Sequence, residues 1–286
     1  MDTMNPKHCP VSKLETLLVA TDRSPFSEGA IREATNLAKA CSSKLCVMTV
    51  LETNPEYESI GAEFLAREEE EAMQYLLSVK KEAEKEMLTC EAVLRRGDSP
   101  SRIIVREAEE KKADVIIIGR RGRKGLAKVI MGSSAAKVIG RARCNVLVVP
   151  KAAKIEYNNI LVATDGSEHA AAAVSEAVEI AKRSGGRLVV LSAILSEEQS
   201  EEAKVFTGDA ADTAQRAGVV VETMTPIGKP HDVIAEAASG RGVDLIVIGA
   251  YGKTGLKKLL MGSTTEKVVG LAGCAVLIVK ARGEEG

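Results

Sequence analysis

Two stretches of the chain carry glycines and hydroxyl residues in the same order. Gly119, Gly122, Gly132 and Ser133 are spaced glycine, two residues, glycine, nine residues, glycine, serine; Gly249, Gly252, Gly262 and Ser263 repeat that spacing. Glycines bring backbone amides close to a ligand because no Cβ stands in the way. A glycine followed by Ser133-Ser134, or by Ser263-Thr264, is a natural opening for a helix. The first amides of a helix lack intrahelical partners, so with the hydroxyls they form an anion site, and phosphate is the natural guest. Asp22 in "VATDRS" and Asp165 in "VATDGS" each follow an apolar run of strand length. A carboxylate there can accept from a ribose hydroxyl or a base amine.

Familiar phosphate loops do not fit. Gly252-Lys253-Thr254 resembles the end of a Walker A loop, but that loop needs a glycine five positions before Gly252, where Val247 sits in an apolar run. The first strand–helix turns read "ATDRSP" and "ATDGSE", not the dinucleotide fingerprint GxGxxG. Simpler readings of the same residues stay open. Glycine loops serve tight turns, a serine after glycine caps a helix, and an aspartate after a strand makes an Asx-turn. His8, His169 and His231 have no metal-ligand spacing. The six cysteines form no CxxC pair and mostly lie in apolar runs, so they read as small buried hydrophobes of a reducing, cytoplasmic compartment rather than as disulfides.

These residues need elements to hold them, and the chain supplies the same set twice. "LLVATDRS" at 17–24 returns as "ILVATDGS" at 160–167, "ADVIIIGRRG" at 113–122 as "VDLIVIGAYG" at 243–252, and "RCNVLVVPK" at 143–151 as "GCAVLIVKA" at 273–281. In the first repeat, strand "TLLVA" precedes a helix expected to be capped by Ser24 with Pro25 at its first position. That helix keeps Ala30, Ile31, Ala34, Leu37, Ala38 and Cys41 on one face. Strand "KLCVMTVL" follows, then a long polar helix with an apolar face of Met73, Leu76, Leu77, Ala83 and Met87. A short strand near "EAVLRR", a turn at Gly97, a helix from about Pro100, strand "DVIIIG", the glycine loop, a helix from about Ser133 and strand "NVLVVP" complete the unit. Strands alternating with helices imply an α/β fold with a parallel sheet covered on both faces. With strand order 3-2-1-4-5 the order reverses between strands 1 and 4. Ligands bind in that crevice, which both the aspartate and the glycine loop would face.

The expected organisation is an N-terminal tail 1–13, a first domain 14–150, a linker 151–158 and a second domain 159–286. A length of 286 residues suits about two domains. A net charge of −1 argues against a broad nucleic-acid footprint, and no apolar run is long enough to span a membrane.

Over about residues 14–281 both halves resemble universal stress protein (UspA-type) domains, and the chain resembles a tandem member. The repeated glycine motif is similar to the signature of that family's ATP-binding branch. The resemblance implies two tandem doubly wound parallel sheets of adenine nucleotide alpha hydrolase-like type, each binding ATP or AMP, with Mg²⁺ on the phosphates as a further partner. It assigns the nucleoside to Asp22 and Asp165 with their neighbours Thr21 and Thr164, and the adenine to the backbone at Val50 and Ala193. Ribose and phosphates fall to Gly119, Gly122, Gly132, Ser133 and Ser134, and to Gly249, Gly252, Gly262, Ser263 and Thr264. It also implies pairing of the last strands, 145–150 with 275–280, as an internal pseudo-dimer able to dimerise again.

The expected function is that of a stress-response or regulatory nucleotide binder. The alternatives are a slow ATP hydrolase or nucleotidyl transferase of the same fold, and an electron-transfer flavoprotein-like module. No side chain is placed by motif to orient water for hydrolysis, so no catalytic residue is assigned. The lids differ between repeats: Arg120, Arg121, Arg123 and Lys124 against Ala250, Tyr251, Lys253 and Thr254. On charge alone the first half should prefer the more highly charged nucleotide.

Overall fold

A computed structural model describes residues 9–11, 14–53, 61–122, 131–253 and 261–281. Continuous Val/Ile/Leu runs form the central strands, buried on both faces as parallel strands under helices must be, while the edge strands Cys90–Gly97 and Val221–Met224 are more polar and partly exposed. In the first half these are β1 (Thr16–Ala20), β2 (Lys44–Glu52), β3 (Cys90–Gly97), β4 (Val115–Gly119) and β5 (Asn145–Val149). The second half has β6 (Asn159–Ala163), β7 (Arg187–Leu191), β8 (Val221–Met224), β9 (Leu245–Gly249) and β10 (Ala275–Val279). They make one ten-stranded sheet of order β3-β2-β1-β4-β5-β10-β9-β6-β7-β8. Each half is therefore doubly wound in the order 3-2-1-4-5. All pairings within a half are parallel. At the seam β5 and β10 run antiparallel, with Val148, Leu147 and Val146 opposite Val276, Leu277 and Ile278.

The helices are α1 (Glu28–Cys41), α2 (Ala62–Lys85), α3 (Pro100–Glu110) and α4 (Ser133–Arg141), then α5 (Glu168–Ser184), α6 (Ser200–Arg216), α7 (Pro230–Gly240) and α8 (Ser263–Leu271). Alternate strand residues feed two cores. Leu17, Val19, Val47 and Ile117 pack under α1 and α2, and the same core runs on through Leu147, Leu277 and Val247 to α5 and α6. Leu18, Met48, Ile116, Val148, Val276 and Ile248 face α3, α4, α7 and α8. Both cores cross the seam, so the halves share one interior.

The start of each half is gripped by an aspartate in the repeated "ADV"/"VDL" step. Asp114 Oδ2 accepts the N–H groups of Glu15 and Thr16 at 2.7 and 2.9 Å. Asp244 accepts those of Tyr157, Asn158 and Asn159 at 2.9, 3.0 and 3.2 Å. The segment 151–158 lies against α1, where Ile155 N–H donates to the buried Glu33.

Three expectations change. Helix α1 begins at Glu28 with Ser27 in the capping position, because Ser24 hydrogen-bonds to Asp22 and residues 24–27 form a turn. The buried stripe of α2 is Ala72, Leu76 and Ala83, whereas Leu77 is 50% exposed on the helix's outer side and Met87, beyond the helix end at Lys85, is 93% exposed. Most directly, Cys9 and Cys41 form a disulfide across 32 residues. Cysteine usage therefore does not point to a reducing compartment. No helix of the described residues is long and apolar enough to cross a membrane.

Candidate functional site

The aspartate after each first strand faces two ways. Asp22 Oδ1 accepts from Ser24 N–H at 3.1 Å and Ser24 Oγ at 2.7 Å, and Asp165 Oδ1 accepts from Ser167 N–H at 3.0 Å. These are Asx-turns, as the simpler reading held. The other oxygen points at the glycine loop. A Cβ added to Gly122 would lie 3.0 Å from Asp22 Oδ2, and one on Gly252 would lie 2.5 Å from Asp165 Oδ2. Asp165 Oδ2 also accepts Lys253 N–H at 2.8 Å. One oxygen holds the turn while the other lies against the loop.

Thr21 and Thr164 serve that turn. Thr21 Oγ1 accepts Arg23 N–H at 3.0 Å and shares a hydrogen bond with Ser27 Oγ at 2.8 Å, and Thr164 Oγ1 accepts Gly166 N–H at 3.3 Å. The next residue is left-handed in both halves, with φ 64° at Arg23 and 76° at Gly166. Glycine takes this conformation freely, whereas arginine does not. Arg23 is anchored there by Glu68 at 2.8 Å. In the second half a Cβ on Gly166 would run into the Phe206 ring. Neither Glu68 nor Phe206 carried a sequence signal, because both come from the long helices α2 and α6, where the repeats diverge.

The glycines divide by what surrounds them, and none of the six motif glycines has a positive φ. Gly119 and Gly249 end β4 and β9, where a Cβ would meet backbone: Phe26 O at 2.9 Å in the first half, His169 C and O at 2.8 Å in the second. Packing against the start of α1 or α5 is enough to require glycine at both. Gly122 and Gly252 make room for the aspartate. Gly132 is different. Its φ of −70° and ψ of 141° suit any residue, and the nearest described atoms to an added Cβ are at an ordinary 3.6 Å. Nothing in the described fold requires glycine there. Gly262 is tighter, with Ala250 O at 3.3 Å.

The loops close back on the strand ends, with Gly132 N–H donating to Arg120 O and Gly262 N–H to Ala250 O, both at 2.9 Å. This brings the start of α4 against Arg121 and Gly122, the glycine that borders Asp22, and the start of α8 against Ala250 and Tyr251, next in the chain to the Gly252 that borders Asp165. Neither helix has a side-chain cap at its N-terminus. Ser133, Ser134 and Ser263 are exposed and Thr264 is half-buried. Val50 and Ala193, at the ends of the second strands, are half-buried against the same core face.

The expected cationic lid is corrected at Arg120. Its guanidinium donates to Gly270 O at 3.2 Å and Ala272 O at 2.5 Å, capping the C-terminus of α8 across the seam. Burial, then neighbouring Arg121, lowers its pKa from the usual value. Lys280 Nζ makes the reciprocal contact, donating to Ile139 O in α4 at 2.6 Å. Arg123, Lys124 and Thr254 lie outside the described residues. Lys253 reaches α6 instead, with its Nζ 2.6 Å from Glu202 Oε1 and 4.3 Å from the Phe206 ring centroid. Among the described residues no cluster of side chains could hold a metal ion.

Known proteins share this fold. A model of the universal stress protein family matches residues 13–150 and again 156–280. A putative universal stress protein of Staphylococcus haemolyticus is 35% identical over 142 residues, 44% of this chain and 86% of the relative. A universal stress protein of Bacillus subtilis is 33% identical over 148 residues, 43% of this chain and 99% of the relative. The crystal structure of a universal stress protein from Archaeoglobus fulgidus covers 97% of this chain and 100% of its own, with a TM-score of 0.79 at 21% identity, a likeness of fold across both halves and the seam. With the family pattern matched once in each half of the chain, and the doubly wound sheet built twice, the protein belongs to the universal stress protein family.

Proposed function

We propose that each half binds an adenine nucleotide, ATP or AMP, and that the chain acts as a nucleotide-dependent regulatory module of the stress-response type. The observation that carries the reading is Gly132. It sits at the uncapped start of α4 beside Gly122 and Asp22, in a backbone conformation and a space that would accept a side chain. A glycine for which the described residues give no internal reason fits close approach by a ligand. The opening amides of α4, which carry no side-chain cap among the described residues, suit phosphate oxygens together with Ser133 and Ser134. Asp22 and Asp165 suit a nucleoside hydroxyl, with Val50 and Ala193 at the adenine side.

In the second half Gly252, Gly262, Ser263 and Thr264 repeat the set, while the Lys253 ammonium is held by Glu202 on α6. Mg²⁺ would bind through the phosphates of a triphosphate, whose charge it neutralises. With Arg120 committed to α8, the first half loses one ground for preferring the triphosphate. Calorimetric titration of the full chain with ATP and with AMP tests the proposal, using Gly132→Val and Gly262→Val to assign each cleft. Loss of one site per substitution supports it; unchanged binding in both variants refutes it.

A further inference from the structure

The N-terminal strap offers chemistry that the nucleotide cleft does not use. Pro10 is buried, and Val11 and Leu14 pack onto the core under α1. They line a small cavity of about 30 Å³ at the seam, with Leu37 and Leu147 from the first half and Ile180 and Leu277 from the second. The Cys9–Cys41 disulfide ties this strap to the last residue of α1.

We propose that Cys9 and Cys41 form a reversible thiol–disulfide latch that fastens residues 9–11 over the seam between the two halves. Both cysteines are half-buried, so an attacking sulfur can reach them. The other four thiols are poor competitors. Burial pushes Cys46 up to about 12, and Cys90, Cys144 and Cys274 each up to about 11. At a pKa of 11 about one thiol in ten thousand is ionised at neutral pH, and the thiolate is the reacting form.

Closure uses a low-molecular-weight disulfide such as glutathione disulfide. One cysteine thiolate attacks it, forming a mixed disulfide and releasing one glutathione thiolate. The second cysteine displaces the other glutathione. Cys9 and Cys41 together lose two protons and two electrons, their S–S bond forms, and the S–S bond of the oxidant is reduced to two thiols. A dithiol reductant reverses the exchange. Released, the described strap is held by the packing of Pro10 and Val11, a small contact that opens at little cost.

The test uses the full chain in glutathione buffers of graded ratio, quenched by alkylation and weighed intact. Two of the six thiols should be protected in oxidising buffer and none in reducing buffer, with Cys9→Ser and Cys41→Ser each abolishing the protection. Hydrogen exchange at the amides of Cys9, Val11 and Leu14 should rise on the order of tenfold on reduction. Both serine variants should show the faster exchange in every buffer. Alkylation of all six thiols in oxidising buffer would overturn the latch. So would equal exchange in the two states, because the bond would then fasten nothing.

Discussion

Replacing Gly132 by alanine separates the fold's needs from the ligand's. At φ −70° and ψ 141°, with the nearest described atoms 3.6 Å from the new methyl, no backbone strain and no overlap with the described residues arises. The fold should therefore tolerate it. Alanine in place of an unstrained glycine lowers unfolded-chain entropy, so stability should hold or rise by about 0.4–1 kcal/mol. The melting temperature would then stay level or climb by about 1–4 °C, at about 2–4 °C per kcal/mol for domains of this size. The methyl would nonetheless stand at the opening of α4, where phosphate must approach. Pushing the anion off one charge-assisted amide bond costs about 1.5–3 kcal/mol, or roughly 10- to 150-fold in affinity. Thermal melts paired with calorimetric titration of ATP and AMP measure both quantities. An alanine variant that melts like the parent and binds equally well at that cleft would refute the reasoning. A variant that unfolds would show that Gly132 serves the fold after all.

Other substitutions follow from the same contacts. Gly249→Ala should do the opposite of Gly132→Ala, destabilising by about 1–3 kcal/mol, because its methyl meets the His169 backbone at 2.8 Å; chemical denaturation reads this directly. Arg120→Ala should destabilise by about 1–3 kcal/mol, through the carbonyls left at the end of α8, and leave ATP affinity in the first cleft within about twofold. A large, selective loss of ATP over AMP binding would instead restore the cationic lid. At Asp244 burial outweighs three backbone donors and raises the carboxyl pKa above 3.8. A raised folded-state pKa means the contribution is full below the unfolded value and is lost as pH rises through the folded one. Stability of the parent should fall over that interval more steeply than stability of Asp244→Asn; parallel profiles would count against the assignment.

Most strands were legible because they are uninterrupted apolar runs that recur in the second half; their order came with the doubly wound fold class rather than from the runs themselves. The aspartate turn and the glycine loop were legible for the same reason: they sit at fixed steps from those runs. Within the motif the roles were not. Spacing alone cannot tell Gly119, crowded by the Phe26 carbonyl, from Gly132, which has room for a side chain. Arg120 read as a cation for phosphate, yet its partner is a helix end 150 residues further along the chain. The apolar stripe assigned to α2 ran too far, since periodicity does not mark the stop at Lys85 that leaves Met87 in solvent. Cys9 and Cys41 meet only after α1 has folded back along the sheet, so their spacing carried no signal. The repeated Asp114 and Asp244 did carry one, and two backbone N–H groups at the start of β1 explain why an acid belongs there.

The most direct measurement is a calorimetric titration of the parent chain with ATP, ADP and AMP in Mg²⁺ buffer, to several millimolar. Saturable heats for an adenine nucleotide, weakened when Asp22 or Asp165 is changed to alanine, are the predicted result. No saturable heat with any of the three would contradict the account, leaving bare glycines and uncapped helices that hold no nucleotide.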